Sequence, residues 1–232
     1  MTARLKIVVF FLGLTLVVAG NSWAEEEPGE DSPAGLPESY AKNYLVSRST
    51  MSPDGKFAVI YPTVDFSESK DAKDFLVTLK PFRVVAPLPT EYPYFQHESH
   101  GGLSAEWLKD GSAALITLDS KWGPGDIFLV EFSEGEMKRI TNLLEKLREL
   151  LKPKFRAVKP KPEVYNDLFD FIFEQEEGEA CSFEGSRVVK IDTKATSDPK
   201  GISKRIWNVS VKAEWDIAQA KFTSQKITPE RR

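Results

Sequence analysis

Both histidines of the chain fall in one short stretch, Tyr92-Pro93-Tyr94-Phe95-Gln96-His97-Glu98-Ser99-His100-Gly101-Gly102. Imidazole and carboxylate groups are ligands that zinc and related ions accept. His97 and His100, with Glu98 or Glu91 as a third ligand, are therefore the candidate metal set. The spacing His-Glu-Ser-His lacks the four-residue helical step of a zincin and matches no established metal motif. Ser99 and Ser104 stand near His100, and His100-Gly101-Gly102 superficially resembles an oxyanion-hole segment. A Ser-His-acid hydrolase is nevertheless disfavoured. The chain has no Gly-x-Ser-x-Gly elbow, and a nucleophile and base so close in sequence rarely orient each other. The competing reading of the stretch is a loop between two sheets with its aromatic rings packed underneath.

Other chemistry is thinner. Asp65, Glu68, Asp119, Glu131 and Asp170 are the carboxylates from which a glycosidase pair would have to come. Nothing in the sequence brings two of them to a chosen separation, so they read as solvated surface charge. Gly111, Gly123, Gly125 and Gly135 sit in turns without the helix and lysine of a phosphate-binding loop. No catalytic residue and no cofactor is assigned. Binding anchors are easier to name, because amphipathic aromatics on loops make good ones. Trp122 in Trp122-Gly123-Pro124-Gly125 reads as a loop tip, with Tyr92 and Tyr94 as partners on the same side; the alternative is that Trp122 folds back onto its sheet. The connector 152–161 carries five Lys or Arg among prolines and reads as a solvated linker. Asn208-Val209-Ser210 is a glycosylation sequon, meaningful only in a eukaryotic secretory pathway, and it lies in a predicted strand.

The elements that must position these residues are mainly strands. Short β-prone runs bounded by Gly, Pro, Asp or Ser cover 44–49, 57–61, 75–79, 82–85, 103–108, 113–118 and 127–132, the pattern of antiparallel sheets. Two helices are expected next. Asn142 caps the first, with Glu145 three residues on, and Leu143, Leu144, Leu147, Leu150 and Leu151 share its face until Pro153 ends it. The second runs from 163 to 175, with Val164, Leu168, Phe171 and Ile172 on one face and Tyr165, Phe169 and Phe173 widening it. Strand alternation then returns over 187–195, 206–217 and 221–227, with Trp207, Val209, Val211, Ala213 and Trp215 on one side. The expected class is mainly β with a two-helix insertion, in two or three small antiparallel sheets.

Two segments repeat. Ser52-Pro53-Asp54-Gly55-Lys56 precedes the strand Phe57–Tyr61, and Leu108-Lys109-Asp110-Gly111 precedes the strand Ala113–Leu118. Each places an Asp-Gly turn before an aliphatic strand, and Gly accepts positive φ at little cost. This pattern resembles the WD40-like repeat of TolB-type β-propellers, whose blades often carry Ser-Pro-Asp-Gly-Lys between their first two strands. The first segment matches that turn in full and the second only in its last half, over a region of roughly 44–140. The resemblance implies binding of other proteins and carries over no catalytic residue. A closed propeller takes typically 4–8 blades. This chain has room for two blade-like sheets, helices and a third sheet, so a complete closed propeller is not expected from one copy, and an oligomer is one way to supply missing blades.

The N-terminus sets the destination. Arg4 and Lys6, the apolar run 7–20, Ser22-Trp23-Ala24 and then Glu25-Glu26-Glu27 have the layout of a signal peptide cleaved after Ala24. The run is shorter than the roughly 20 residues of a membrane-spanning helix. The formal charge of the 232-residue chain is −4, and loss of residues 1–24 makes it more negative still. That balance excludes general nucleic-acid binding and electrostatic attachment to anionic lipid. Cys181 is the single cysteine, so no intramolecular disulfide forms and it reads as a small buried hydrophobe. The expected organisation is a signal peptide at 1–24, a disordered acidic tether at 25–39, a propeller-blade-like region at 40–140, a helical insertion at 141–176 and a C-terminal β region at 177–232. The expected protein is an exported, noncatalytic binding or scaffold protein of the periplasm, envelope or extracellular space. Its partner is another exported protein or an envelope component, with no nucleic acid and no integral membrane span in the mature chain. The alternative is a secreted or periplasmic hydrolase or metal-assisted enzyme using His97, Glu98 and His100. A third reading gives the partner surface to the two helices.

Overall fold

The computed structural model describes residues 31–95, 97–165, 169–175 and 178–230. The expected signal peptide, and residues 25–30 of the expected tether, lie outside the described residues. Strands β1 (Tyr44–Ser47), β2 (Phe57–Pro62), β3 (Phe75–Leu79) and β4 (Phe82–Pro87) form a first sheet in chain order. A second holds β5 (Gly102–Trp107), β6 (Ala113–Ser120), β7 (Gly123–Ser133) and β8 (Glu136–Asn142). The third holds β9 (Ile172–Glu174), β10 (Cys181–Glu184), β11 (Val188–Thr196), β12 (Asn208–Asp216) and β13 (Lys221–Pro229), with β9 paired to the end of β11. Every paired neighbour is antiparallel. Among the described residues the class is thus mainly β, in three small sheets, none closed into a barrel or propeller.

The second sheet is the middle layer. On one face Ala114, Ile116, Phe128 and Val130 pack with Leu45, Val59, Tyr61 and Leu76 of the first sheet. On the other, Ala113, Leu115, Ile127 and Leu129 pack with Val189, Ile191, Val211 and Trp215 of the third sheet. A strand buried on both faces needs an unbroken apolar run, because neighbouring side chains point to opposite sides. Ala113–Ile116 and Ile127–Val130 are such runs, and all eight residues are buried. The first sheet covers its far face with helices α1 (Glu38–Ala41) and α2 (Val64–Ser67) and the turn before α1: Leu36 of that turn, Tyr40 and Phe66 pack with Tyr44, Val46 and Ile60. The third sheet leaves its far face to water, where Lys190, Asp192 and Lys212 are exposed.

The remaining helix, α3 (Leu143–Ala157), closes the middle layer against the third sheet. Asn142 caps it, its side chain accepting the Glu145 N–H at 3.1 Å. Leu143, Leu144, Leu147 and Leu151 are buried, as their spacing demands.

Four expectations change. Pro153 does not end the first helix; it lies inside α3. Proline removes one backbone donor and crowds the preceding turn, but Phe155 beyond it is buried against Phe171 and Trp207, and that contact carries the helix on. The second helix, expected over 163–175, is absent from the described residues there. Glu163 and Tyr165 instead donate backbone N–H groups to Arg205 and Ser197, and 172–174 is strand β9. Phe171 and Phe173 are both buried while Ile172 between them is half-buried, so the apolar period is two and not 3.6. The tether does not extend through 31–39 as a disordered segment: Ser32 bridges to Val46, and the Asp31 carboxylate accepts the Tyr61 hydroxyl at 2.8 Å and the Arg48 N–H at 2.8 Å. Finally, β8 and β10 are strands that the alternation pattern left unassigned. Among the described residues no helix is long and apolar enough to cross a membrane.

Candidate functional site

The loop holding both histidines joins the first sheet to the second. Asp74 fixes its start. The Asp74 backbone carbonyl accepts the Leu88 N–H at 2.8 Å, and its Oδ2 accepts the Tyr94 N–H at 2.9 Å. The Tyr94 ring stands edge-on against Tyr61, with ring centres 4.9 Å apart, and is half-buried. Tyr92, two residues earlier, is 70% exposed. His97 and His100 are both exposed and both in the left-handed backbone region, at φ 61° and 65°. Glu98 between them is half-buried, and burial raises its carboxyl pKa above the usual range. Its side chain folds over Gly101, where a Cβ would come within 2.9 Å of Glu98 Oε2. Among the described residues no three His, Cys, Asp or Glu side chains are arranged to hold a metal ion. The set His97, Glu98 and His100 is therefore not assembled: the turn that reverses the chain exposes both imidazoles while the carboxylate packs inward.

Asp74 itself is fully buried, and its Oδ1 has no hydrogen-bond partner among the described residues. Burial pushes its pKa up to about 8; the Tyr94 N–H opposes that shift, and the charges of Glu98 and Asp126 add to it. Asp126 is displaced the same way by burial, against the bond it accepts from Asn142. Trp122 is half-buried and meets the Tyr165 ring, which lies outside the sheets, at 77° with centres 6.2 Å apart. Lys121 lies over Trp122, and Lys200 over Tyr165. Tyr94 and Trp122 thus rest on different neighbours, Tyr61 and Tyr165.

What the structure does gather is the repeat. In the first turn Ser52 N–H donates to the Phe57 carbonyl and Gly55 N–H to the Ser52 carbonyl; in the second, Leu108 N–H donates to Ala113 and Gly111 N–H to Leu108. The carbonyls of Lys56 and Ser112, again equivalent, accept from Leu79 on β3 and Phe132 on β7. Gly55 and Gly111 stand at φ 66° and 68°, the conformation the turn requires and glycine adopts cheaply. Asp54 Oδ1 accepts Ser52 Oγ at 2.6 Å and Lys56 N–H at 3.0 Å. Asp110 Oδ1 accepts Ser112 Oγ at 2.6 Å and Ser112 N–H at 3.0 Å. These bonds favour the charged form and hold both carboxyls below the usual range.

The two turns meet because Trp107, the last residue of β5, donates its indole N–H to the Thr50 carbonyl at 3.0 Å. Between them, and against the β7–β8 turn at Glu134 and Gly135, lies a cleft of about 200 Å³. Its inner wall is aromatic. Trp107 lies near-parallel to Phe57 and Phe132, at 23° and 27°, with ring centres 6.1 and 5.5 Å away. Its rim carries Asp54, Asp110 and Glu134, with Lys56 as the one cation among the lining residues. Lys56 Nζ donates to the Gly135 carbonyl at 3.1 Å and sits 4.9 Å from the centre of the Phe57 ring. The pair of Asp-Gly turns was the sequence signal for this cleft, but only the sheet packing shows that they face one space. Compared with protein-family models, curated proteins and solved structures, the chain matches none.

Proposed function

We propose that this chain is an exported, noncatalytic binding protein, built on propeller-blade-like sheets, that holds a partner protein of the envelope or extracellular space at the cleft between its two Asp-Gly turns. The observation that carries the reading is the cleft itself: an aromatic wall and a charged rim contributed by three separate turns. Aromatic anchors at the centre of a polar rim are the usual anatomy of a binding surface. The propeller resemblance draws support from the matching hydrogen bonds of the two turns and from four-stranded sheets that follow chain order. Export rests on the basic, apolar and small-residue layout of residues 1–24. Immobilised mature protein tests the reading. A polypeptide retained from the exported fraction by the wild type, and lost with Asp110→Lys, is the expected outcome. Equal retention by both proteins would remove the cleft as the partner site. Loss of a hydrolytic activity on replacing His97 and His100 by Ala would return the enzyme reading.

A further inference from the structure

We propose that the cleft takes a positively charged side chain of an extended peptide, arginine ahead of lysine. The inference rests on the binding reading above and names the chemistry of the occupant. The volume comes first. About 200 Å³ lies below the roughly 300–1,000 Å³ of ordinary small-molecule pockets, and it suits one inserted side chain. Charge comes second. Three carboxylates face one ammonium, and that ammonium is already engaged by the Gly135 carbonyl and the Phe57 ring. In both Asp-Gly turns the bonds that build the turn fall on Oδ1, and Oδ2 takes part in none of them. Two ionised carboxylates therefore keep acceptor oxygens outside the turns they build. The wall comes third. Trp107 is half-buried, with the Phe57 and Phe132 rings, their own centres 4.5 Å apart, both to one side of it, and a guanidinium stacks on an aromatic face while its N–H groups reach carboxylates in its own plane. An ammonium reaches carboxylates too, but as a point charge without the planar fork.

Titration of ¹⁵N-labelled mature protein with the peptide acetyl-Gly-Ser-Arg-Ser-Gly-amide tests this, against the same peptide with lysine or citrulline. The expected result is movement of the Gly55 and Gly111 amides and the Trp107 indole N–H with the arginine peptide, tighter than with lysine. Citrulline, which keeps the shape and loses the charge, should bind at least tenfold more weakly. Glu134→Gln, whose side chain builds neither Asp-Gly turn, should weaken arginine binding about threefold or more. Asp54→Asn with Asp110→Asn keeps the oxygens that accept the turn N–H groups, and should weaken binding about tenfold or more while the remaining amide spectrum stays in place. Equal movement with arginine and citrulline, or none with arginine, overturns the inference. The two readings separate cleanly. A captured partner lost in Asp110→Lys without any arginine response leaves the binding reading standing and the cation inference refuted. An arginine response with partner retention unchanged in that variant does the reverse.

Discussion

Asp74 sets the clearest expectation at the scale of a single residue. A carboxyl whose folded pKa lies near 8 and whose unfolded pKa is about 4 binds its proton more tightly in the folded chain. Stability is then fully present below about pH 4 and falls as the pH rises toward 8, by about 1.4 kcal/mol per unit at most. Asp74→Asn removes the titrating group and keeps an oxygen for the Tyr94 N–H. Urea denaturation between pH 5 and 8 should show a clear decline for the wild type and a shallower one for the variant. Some slope should remain, because Glu98 and Asp126 are displaced in the same direction. Identical slopes would mean that Asp74 is ionised throughout. Cys181, buried and with its thiol pKa raised by desolvation, matches the small-hydrophobe reading of a lone cysteine.

At the scale of an element, α3 holds a local conflict that tertiary packing resolves. Pro153 is exposed and costs the helix a backbone bond, while Phe155 anchors the last turn in the core. Pro153→Ala should therefore raise stability, by up to about 3 kcal/mol, read as a higher denaturation midpoint. A lower midpoint would show that the proline's ring contributes more than its missing donor costs. A second element-level tie joins the sheets. Glu131 on β7 is buried and accepts Arg139 Nε at 2.6 Å, and another Arg139 nitrogen donates to the Ile217 carbonyl beyond β12, also at 2.6 Å. Arg139→Met strands a buried carboxylate and should cost about 3–5 kcal/mol. Adding Glu131→Leu should restore part of that loss, and a double variant as unstable as the single one would place the cost in the Ile217 contact instead.

The whole molecule is a stack in which the middle sheet has no solvent face. That arrangement makes the third sheet and α3 obligatory for the first two. A chain ending at residue 160 would uncover Leu115, Ile127, Leu129 and Leu147, which now pack against the third sheet's cluster. It should be aggregated, or should bind a hydrophobic dye, where the chain running on through residue 232 behaves as a defined species on size exclusion. A soluble, compact fragment would show instead that the first two sheets form an independent unit. The polar far face of the third sheet, with Lys212 and Asp192 paired at 2.8 Å, ends the stack as the helices end it on the other side.

The sequence by itself determined the elements whose signal is local. The Asp-Gly turns, the alternation of Val209, Val211, Ala213 and Trp215, and the Asn142 cap all lie where neighbouring residues place them, because turn chemistry and period two need no distant partner. Tertiary structure decided the rest. Phe171, Ile172 and Phe173 are all apolar and read as part of a helix face, because so short a run shows no alternation; pairing of 172–174 with β11 makes that stretch a strand. The acidic segment at 31–39 reads as tether by composition, yet Asp31 finds the Tyr61 hydroxyl thirty residues away. His97 and His100 share a loop in sequence, while the left-handed turn leaves both exposed and turns Glu98 inward. Asp54, Asp110 and Glu134 carry no mutual signal at their spacing, and they border one cleft because two sheets stack face to face. Proximity across sheets depends on how buried faces match, and a linear pattern holds that information only for the strands, not for the space between them.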